Sequence, residues 1–257
     1  MRPGPQPRHK DRQSIHPSLG LPRTHARGSP HHVTRVVIAG CGFGGIAAAF
    51  GIKRVLGRQV RLIAIDKTDR FDYHASLPEL VSGKISETDV TIPYGPLFSR
   101  AGIEFLEAEI AEIDRKKHRV LAGKKSIEYD YLVLALGSET DFYGVSGARE
   151  NTFEFKSDLD ALAIRSHVGK MFESCKLSGK DTGETRIVVV GGGLTGVELV
   201  CDLKDLLHKV CAKCNIPEDQ RELVLISRSR HLNPGFSEEV GKFSENYLRR
   251  QGITLIL

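Results

Sequence analysis

The chain has 257 residues, 40% hydrophobic and 27% charged, enough for one large or two ordinary domains with packed cores. Its formal charge of +5 arises entirely within residues 1–34, and the balanced remainder excludes a broad polyanion-binding face and with it a nucleic-acid role. No run of about 18 apolar residues occurs, so any membrane contact is peripheral, and five cysteines without a secretion signal point to a reducing, cytoplasmic setting rather than to structural disulfides.

Residues 1–33 hold six of the eleven prolines and five of the ten histidines and show no apolar periodicity, which predicts a disordered basic tail. The stretch has neither the apolar centre of a signal peptide nor the amphipathic helix of a mitochondrial presequence, and is read as an upstream extension. The folded part then divides into a first domain over 34–150 and a second over 151–257.

The first domain opens on Arg35 to Gly45, RVVIAGCGFGG. A short apolar run ending in G-x-G-x-x-G predicts a buried parallel strand that turns sharply into a helix. Gly40 permits the turn, Gly42 lacks the Cβ that would block a pyrophosphate, and Gly45 lets the helix pack closely on its strand. Phe43 and Gly44 complete the loop, and the N–H groups at the helix start are suited to phosphate. A helix over Ile46 to Leu56 leads to a strand over Val60 to Ile65. That strand ends at Asp66, followed by Lys67, where an acid hydrogen-bonds a ribose hydroxyl; a solvated loop acid is the other reading.

Asp69 to Phe98 is rich in aromatics and broken by Pro78, Pro93 and Pro96, so it is neither a linker nor one long helix. Strands are expected at Glu104 to Ile113, Arg119 to Leu121 and Ser126 to Tyr129 as an antiparallel meander, then at Tyr131 to Leu136 before Gly137.

The second domain repeats the opening. Arg186 to Gly196 reads RIVVVGGGLTG, 151 residues after the first copy, with Gly191, Gly193 and Gly196 in the three glycine places and Leu194 and Thr195 between them. One such turn is weak evidence of dinucleotide binding; two, each after a strand and before a helix, are strong. The second strand of this copy, Leu223 to Ile226, ends in Ser227, Arg228, Ser229 and Arg230, with no acid. Serine and arginine there suit a 2′-phosphate and hence NADPH, or form a basic surface turn. Glu198 stands in the first turn of the helix, where the first copy has Ala47. Cys211 and Cys214 form Cys-x-x-Cys in an apparent insertion from His208 to Arg221; with His208 they make three ligands where structural zinc takes four, so no metal site is expected. Gly252 to Leu257, GITLIL, reads as a strand.

The fold expected is α/β: two Rossmann-like dinucleotide-binding units with parallel sheets and an antiparallel meander, incomplete at the C-terminus. The chain resembles the pyridine-nucleotide-disulfide oxidoreductase superfamily and, within it, the type II NADH dehydrogenases, which are non-proton-pumping NADH:quinone oxidoreductases. The resemblance runs from about Thr34 to the end and rests on VVIAGCGFGG, SLPELVSG with IPYGPLF, YDYLVLALGS and VVVGGGLTGVEL.

It implies that Gly40, Gly42, Phe43, Gly44, Gly45, Asp66 and Lys67 hold FAD, with Gly137 lining the flavin. Gly191, Gly193, Leu194, Thr195, Gly196, Ser227 and Arg228 would hold NADH or NADPH. It also implies a proton-handling role for Glu198 in reduction of a quinone or other small acceptor, against the plainer reading of an acid stabilised by a helix N-terminus. Disulfide and sulfide chemistry would need cysteines beside the flavin, and 121–160 contains none.

The family's later flavin motif, quinone segment and amphipathic membrane-binding region are not found. The expectation is therefore either an enzyme peripheral to the inner face of the cell membrane, or a non-catalytic nucleotide-binding fragment. The second reading includes one piece of a split flavoprotein, and the partners expected are a homodimer mate or a complementing second chain.

Overall fold

The computed structural model describes residues 33–178, 186–215, 217 and 221–257. The disorder expected for residues 1–33 thus falls, except for Val33, outside the described residues. Thr34–Leu257 forms one compact unit.

Strand β1 (Thr34–Ala39) is apolar from Val36 onward, and Val37, Ile38 and Ala39 are fully buried, as a strand covered on both faces requires. Helix α1 (Phe43–Leu56) returns the chain to β2 (Val60–Asp66), which lies parallel to β1 with Val36 opposite Leu62 and Ile38 opposite Ala64. The helix starts three residues before the Ile46 expected, because the glycines themselves form its first turn.

An irregular stretch follows. Strand β3 (Arg70–Asp72) leads into helices α2 (Leu77–Ser82) and α3 (Glu87–Val90), then strand β4 (Thr91–Pro93) and helix α4 (Tyr94–Arg100). Strands β3 and β4 pair as an antiparallel ribbon.

The strand expected over Glu104 to Ile113 is two strands. Strand β5 (Glu104–Glu107) joins the parallel sheet beside β2, and β6 (Ile110–Asp114) begins the meander with β7 (Arg119–Ala122) and β8 (Lys125–Glu128). The break is at Ala108, whose N–H donates to the Asp66 carbonyl at 2.7 Å. Strand β9 (Tyr131–Leu134) then pairs with β1, giving the parallel order β5-β2-β1-β9. It stops two residues short of Leu136, and a single turn of helix, α5 (Ala148–Asn151), follows a loop.

The second unit comprises α6 (Asp158–Ser178), β10 (Arg186–Val190), α7 (Leu194–Cys214), β11 (Glu222–Ile226), α8 (Glu238–Arg250) and β12 (Thr254–Ile256). Its three strands are parallel in the order β10-β11-β12, so GITLIL does form a strand. The apparent insertion after His208 begins as an extension of α7, which ends where Asn215 turns left-handed at φ 55°. Cys211 and Cys214 are both buried in the core on this extension. Among the described residues no group of three or more His, Cys, Asp or Glu is arranged to hold a metal. Nor is any of their helices long and apolar enough to cross a membrane.

The aromatic, proline-broken segment of the first unit packs into the second. Leu77, Leu80, Val81 and Val90 share one core with Ala161, Val168 and Phe172 of α6 and Leu203 and Leu207 of α7; each large side chain so buried contributes ~2 kcal/mol. Around that core Lys84 bridges Asp202 and Asp205 of α7 at 2.9 and 2.7 Å, and Arg70 pairs with the buried Asp158 at 3.0 Å. The first unit's own core lies between β1, β2 and helices α1 and α4, with Phe98 fully buried. Strands β9 and β10 stand at sheet edges and leave Leu134, Val188 and Val190 exposed.

Two candidate dinucleotide sites

Gly40 takes φ +90° and donates its N–H to Ile65 at 2.8 Å, tying the first turn to β2. A Cβ there would overlap the Ala135 carbonyl and lie 2.8 Å from the Leu136 Cα, because the chain just past β9 runs directly against the turn. A Cβ on Gly45 would overlap the Gly40 carbonyl, so the helix can approach its strand only with glycine at that place. Gly42, the N-cap of α1, differs: no protein atom lies within 4 Å of where its Cβ would be. Helix α1 has neither a side-chain cap nor an acid in its first turn, leaving its positive end for an outside anion.

Asp66 closes the turn. Its Oδ2 accepts the Cys41 N–H at 2.7 Å, and its Oδ1 accepts the Thr68 N–H and hydroxyl at 3.1 and 3.0 Å. A carboxylate offers about four acceptor positions, so one remains for a ribose hydroxyl. Lys67 is exposed beside it. Phe43 is half exposed with its ring edge-on to Phe71 at 4.8 Å, a Cβ on Gly44 would stand 3.9 Å from that of Ala135, and Gly137 turns at φ +78° just past the end of β9. Cys41 itself is buried, and burial, reinforced by Asp66, pushes its thiol up to about 12, which keeps it protonated and unsuited to nucleophilic work.

The second turn repeats this plan. Gly191 takes φ +126° and donates to Ile226 at 2.8 Å, a Cβ on Gly196 would overlap the Gly191 carbonyl, and the N-cap Gly193 has open space where its Cβ would stand. Helix α7 likewise has no side-chain cap and no first-turn acid; Leu194 and Thr195 are exposed on that turn.

Ser227 occupies the place of Asp66. Its side chain abuts Gly192, where a Cβ would come within 2.6 Å of the serine Cβ, and its Oγ accepts the Ser229 N–H at 3.1 Å. Arg228 is exposed, and its guanidinium sits 5.1 Å from the ring centroid of Tyr143, which itself takes φ +52° in the loop before α5. The residues predicted for each nucleotide are thus brought together at the C-terminal ends of the parallel strands, where α/β sheets bind ligands.

Glu198 requires a correction. Helix α7 begins at Leu194, so Glu198 is its fifth residue and lies beyond the first turn. Its carboxyl is raised above the ordinary range by burial and then by Asp202 one turn along.

Three residues near these turns were not legible beforehand. The Tyr94 hydroxyl donates to the Cys41 carbonyl, the Asn233 N–H donates to the Gly192 carbonyl, and Tyr143 underlies Arg228. Each acts across 41 or more residues of sequence, and only the aromatic character of IPYGPLF hinted at the first.

The geometry agrees with what the chain is similar to. A type II NADH:quinone oxidoreductase of Staphylococcus aureus is 25% identical over 221 residues, covering 85% of this chain and 55% of the relative. Among solved structures, NDH2 from Plasmodium falciparum in complex with NADH matches with a TM-score of 0.80 at 23% identity, covering 88% of this chain and 48% of that one. The sulfide:quinone oxidoreductase of Aquifex aeolicus matches at 0.71 with 24% identity, covering 87% and 50%. The chain thus spans about half the length of the relatives it matches. The family described as pyridine nucleotide-disulphide oxidoreductase matches residues 34–257, the whole stretch that carries both glycine turns. The chain therefore belongs to the pyridine nucleotide-disulphide oxidoreductase family.

Proposed function

We propose that this chain is the dinucleotide-binding part of a FAD-dependent NAD(P)H:quinone oxidoreductase of the type II NADH dehydrogenase kind, with FAD at the first turn and NADH or NADPH at the second. The observation that carries this is the pair of uncapped helix N-termini with an open glycine at each N-cap, one closed by an acid and the other by serine and arginine. Gly42 and Gly193 leave room for a pyrophosphate, the first-turn N–H groups neutralise it, and Asp66 orients a ribose. FAD held there would supply the redox chemistry between the nicotinamide and the acceptor.

Glu198 is read as the group that holds and releases a proton for quinone reduction, which a raised carboxyl suits. Glu198→Gln is expected to slow quinone-dependent turnover about tenfold or more while flavin reduction by NAD(P)H proceeds as before; equal rates for both proteins would remove Glu198 from the mechanism.

Ser227 and Arg228 favour NADPH as a substrate alongside NADH. An engineered water-forming NADPH oxidase, similar in fold with a TM-score of 0.65 at 18% identity, carries substitutions that put alanine, arginine and serine in succession where aspartate, alanine and methionine stood. The run Ser227-Arg228-Ser229 has the same chemistry: a small residue in place of the acid, then arginine and serine. Arg228→Ala is expected to weaken NADPH binding about tenfold and leave NADH within twofold, measured by titration of each nucleotide. A strong native preference for NADH would sink this reading.

The test of the whole proposal is the visible spectrum of the purified chain, with and without added FAD, followed by anaerobic NADH and NADPH. Flavin absorption that bleaches supports the enzyme. Colourless protein that still binds nucleotide supports a second reading, a nucleotide-binding piece completed by another polypeptide, which the exposed apolar side chains on β9 and β10 favour.

A further inference from the structure

The two glycine turns share a feature that their sequences do not. In each, the carbonyl of the residue between the first two glycines is held from outside the turn. Cys41 accepts the Tyr94 hydroxyl at 2.7 Å, and Gly192, its counterpart 151 residues on, accepts the backbone N–H of Asn233 at 2.7 Å.

In a planar trans peptide the C=O and the following N–H point in opposite directions, and none of the described peptides is cis. Fixing the Cys41 carbonyl against the core therefore turns the Gly42 N–H the other way, away from Tyr94, at a residue where an added Cβ would meet no protein atom within 4 Å. The Cys41 N–H is fixed at the same time by Asp66, so both peptide groups flanking Cys41 are clamped.

Tyr94 is built for this position. It is buried, its ring stacks on Phe98 at 5.4 Å and leans on Phe105 at 5.1 Å, and the surrounding apolar packing keeps its phenol protonated and able to donate. The ring contacts account for its place in the core, but they do not use the hydroxyl. At the second turn the backbone N–H of Asn233 does the same work, a donor that only proline at that place would remove.

We propose that Tyr94 is a positioning residue for the first dinucleotide: its hydroxyl, by holding the Cys41 carbonyl, aims the Gly42 N–H at the pyrophosphate. This rests on the reading that the first turn takes FAD, and the experiment separates the two. The full chain and its Tyr94→Phe variant are compared by amide hydrogen exchange over residues 39–46 without ligand, and by titration with FAD and, separately, NADH.

Tyr94→Phe is expected to speed exchange at the turn and to weaken FAD about tenfold, the value of one well-placed hydrogen bond, with NADH affinity unchanged. Replacing Tyr94 by 4-aminophenylalanine, which restores a donor at that point, should return both readings to those of the native chain. Faster exchange in a chain that takes no FAD even as wild type would uphold the clamp and sink the flavin assignment. Unchanged exchange, an equal loss of both nucleotides, or a Tyr94→Phe chain that does not fold would overturn the proposal, since each assigns the hydroxyl either no role or a role in general stability.

Discussion

Gly42→Ala is expected to fold as well as the native chain and to lose its flavin. Gly42 has φ −65° and ψ −166°, which alanine adopts without strain, and no protein atom lies within 4 Å of the new methyl group. Restricting the unfolded chain should even stabilise the variant by about 0.5 kcal/mol. On the proposed reading, this is the space that a pyrophosphate takes beside the backbone. The methyl group should therefore cost about 3 kcal/mol of binding, or roughly a hundredfold in FAD affinity. A thermal melt and a flavin titration decide the matter together: a variant of normal stability that binds FAD normally would mean the pyrophosphate lies elsewhere.

Gly40→Ala should do the opposite and damage the fold itself. The new Cβ would run into the Ala135 carbonyl at a residue held at φ +90°, and Ala135 cannot retreat without breaking the 2.7 Å bond from its N–H to Ala39 that joins β9 to β1. Backbone overlap and left-handed strain together are expected to cost about 4 kcal/mol, lowering the melting temperature by about 10 °C. Gly191→Ala is the internal control. Its φ of +126° is also strained for alanine, but nothing lies within 4 Å of the added methyl, so its cost should stay near 2 kcal/mol. Equal melting temperatures for the two variants would contradict this account.

That contrast marks how far sequence carries. Both Gly40 and Gly191 are legible as turn glycines, because the G-x-G-x-x-G spacing after an apolar strand is a local signal read within eleven residues. What sets them apart is Ala135 and Leu136, just past the end of β9 and nearly a hundred residues away, which cross the first turn and have no described counterpart at the second. The same holds for Glu104 to Ile113. Its alternation reads correctly as extended chain, but only the hydrogen bond from Ala108 to the end of β2 divides it between two sheets.

Asp66 shows the converse. Its position at the strand end was readable, while its grip on Cys41 depends on the turn folding back over it. Glu198 was readable as an acid near the second turn, but its place in the helix rested on a starting residue that pattern reading sets only to within a turn.

Strands β9 and β10 give the molecule a colloidal character that its composition does not suggest. Among the described residues each is paired along one side only, and on these strands stand Leu134, Val188 and Val190, more than 40% exposed. Proteins commonly guard such seams with lysine, proline or a bulge. Here Arg186, at one end of β10, is the only charged residue on either seam. Handled by itself, the chain carries adhesive edges at these strands, so the concentration at which it stays dispersed is limited by its rim rather than by the soundness of its core.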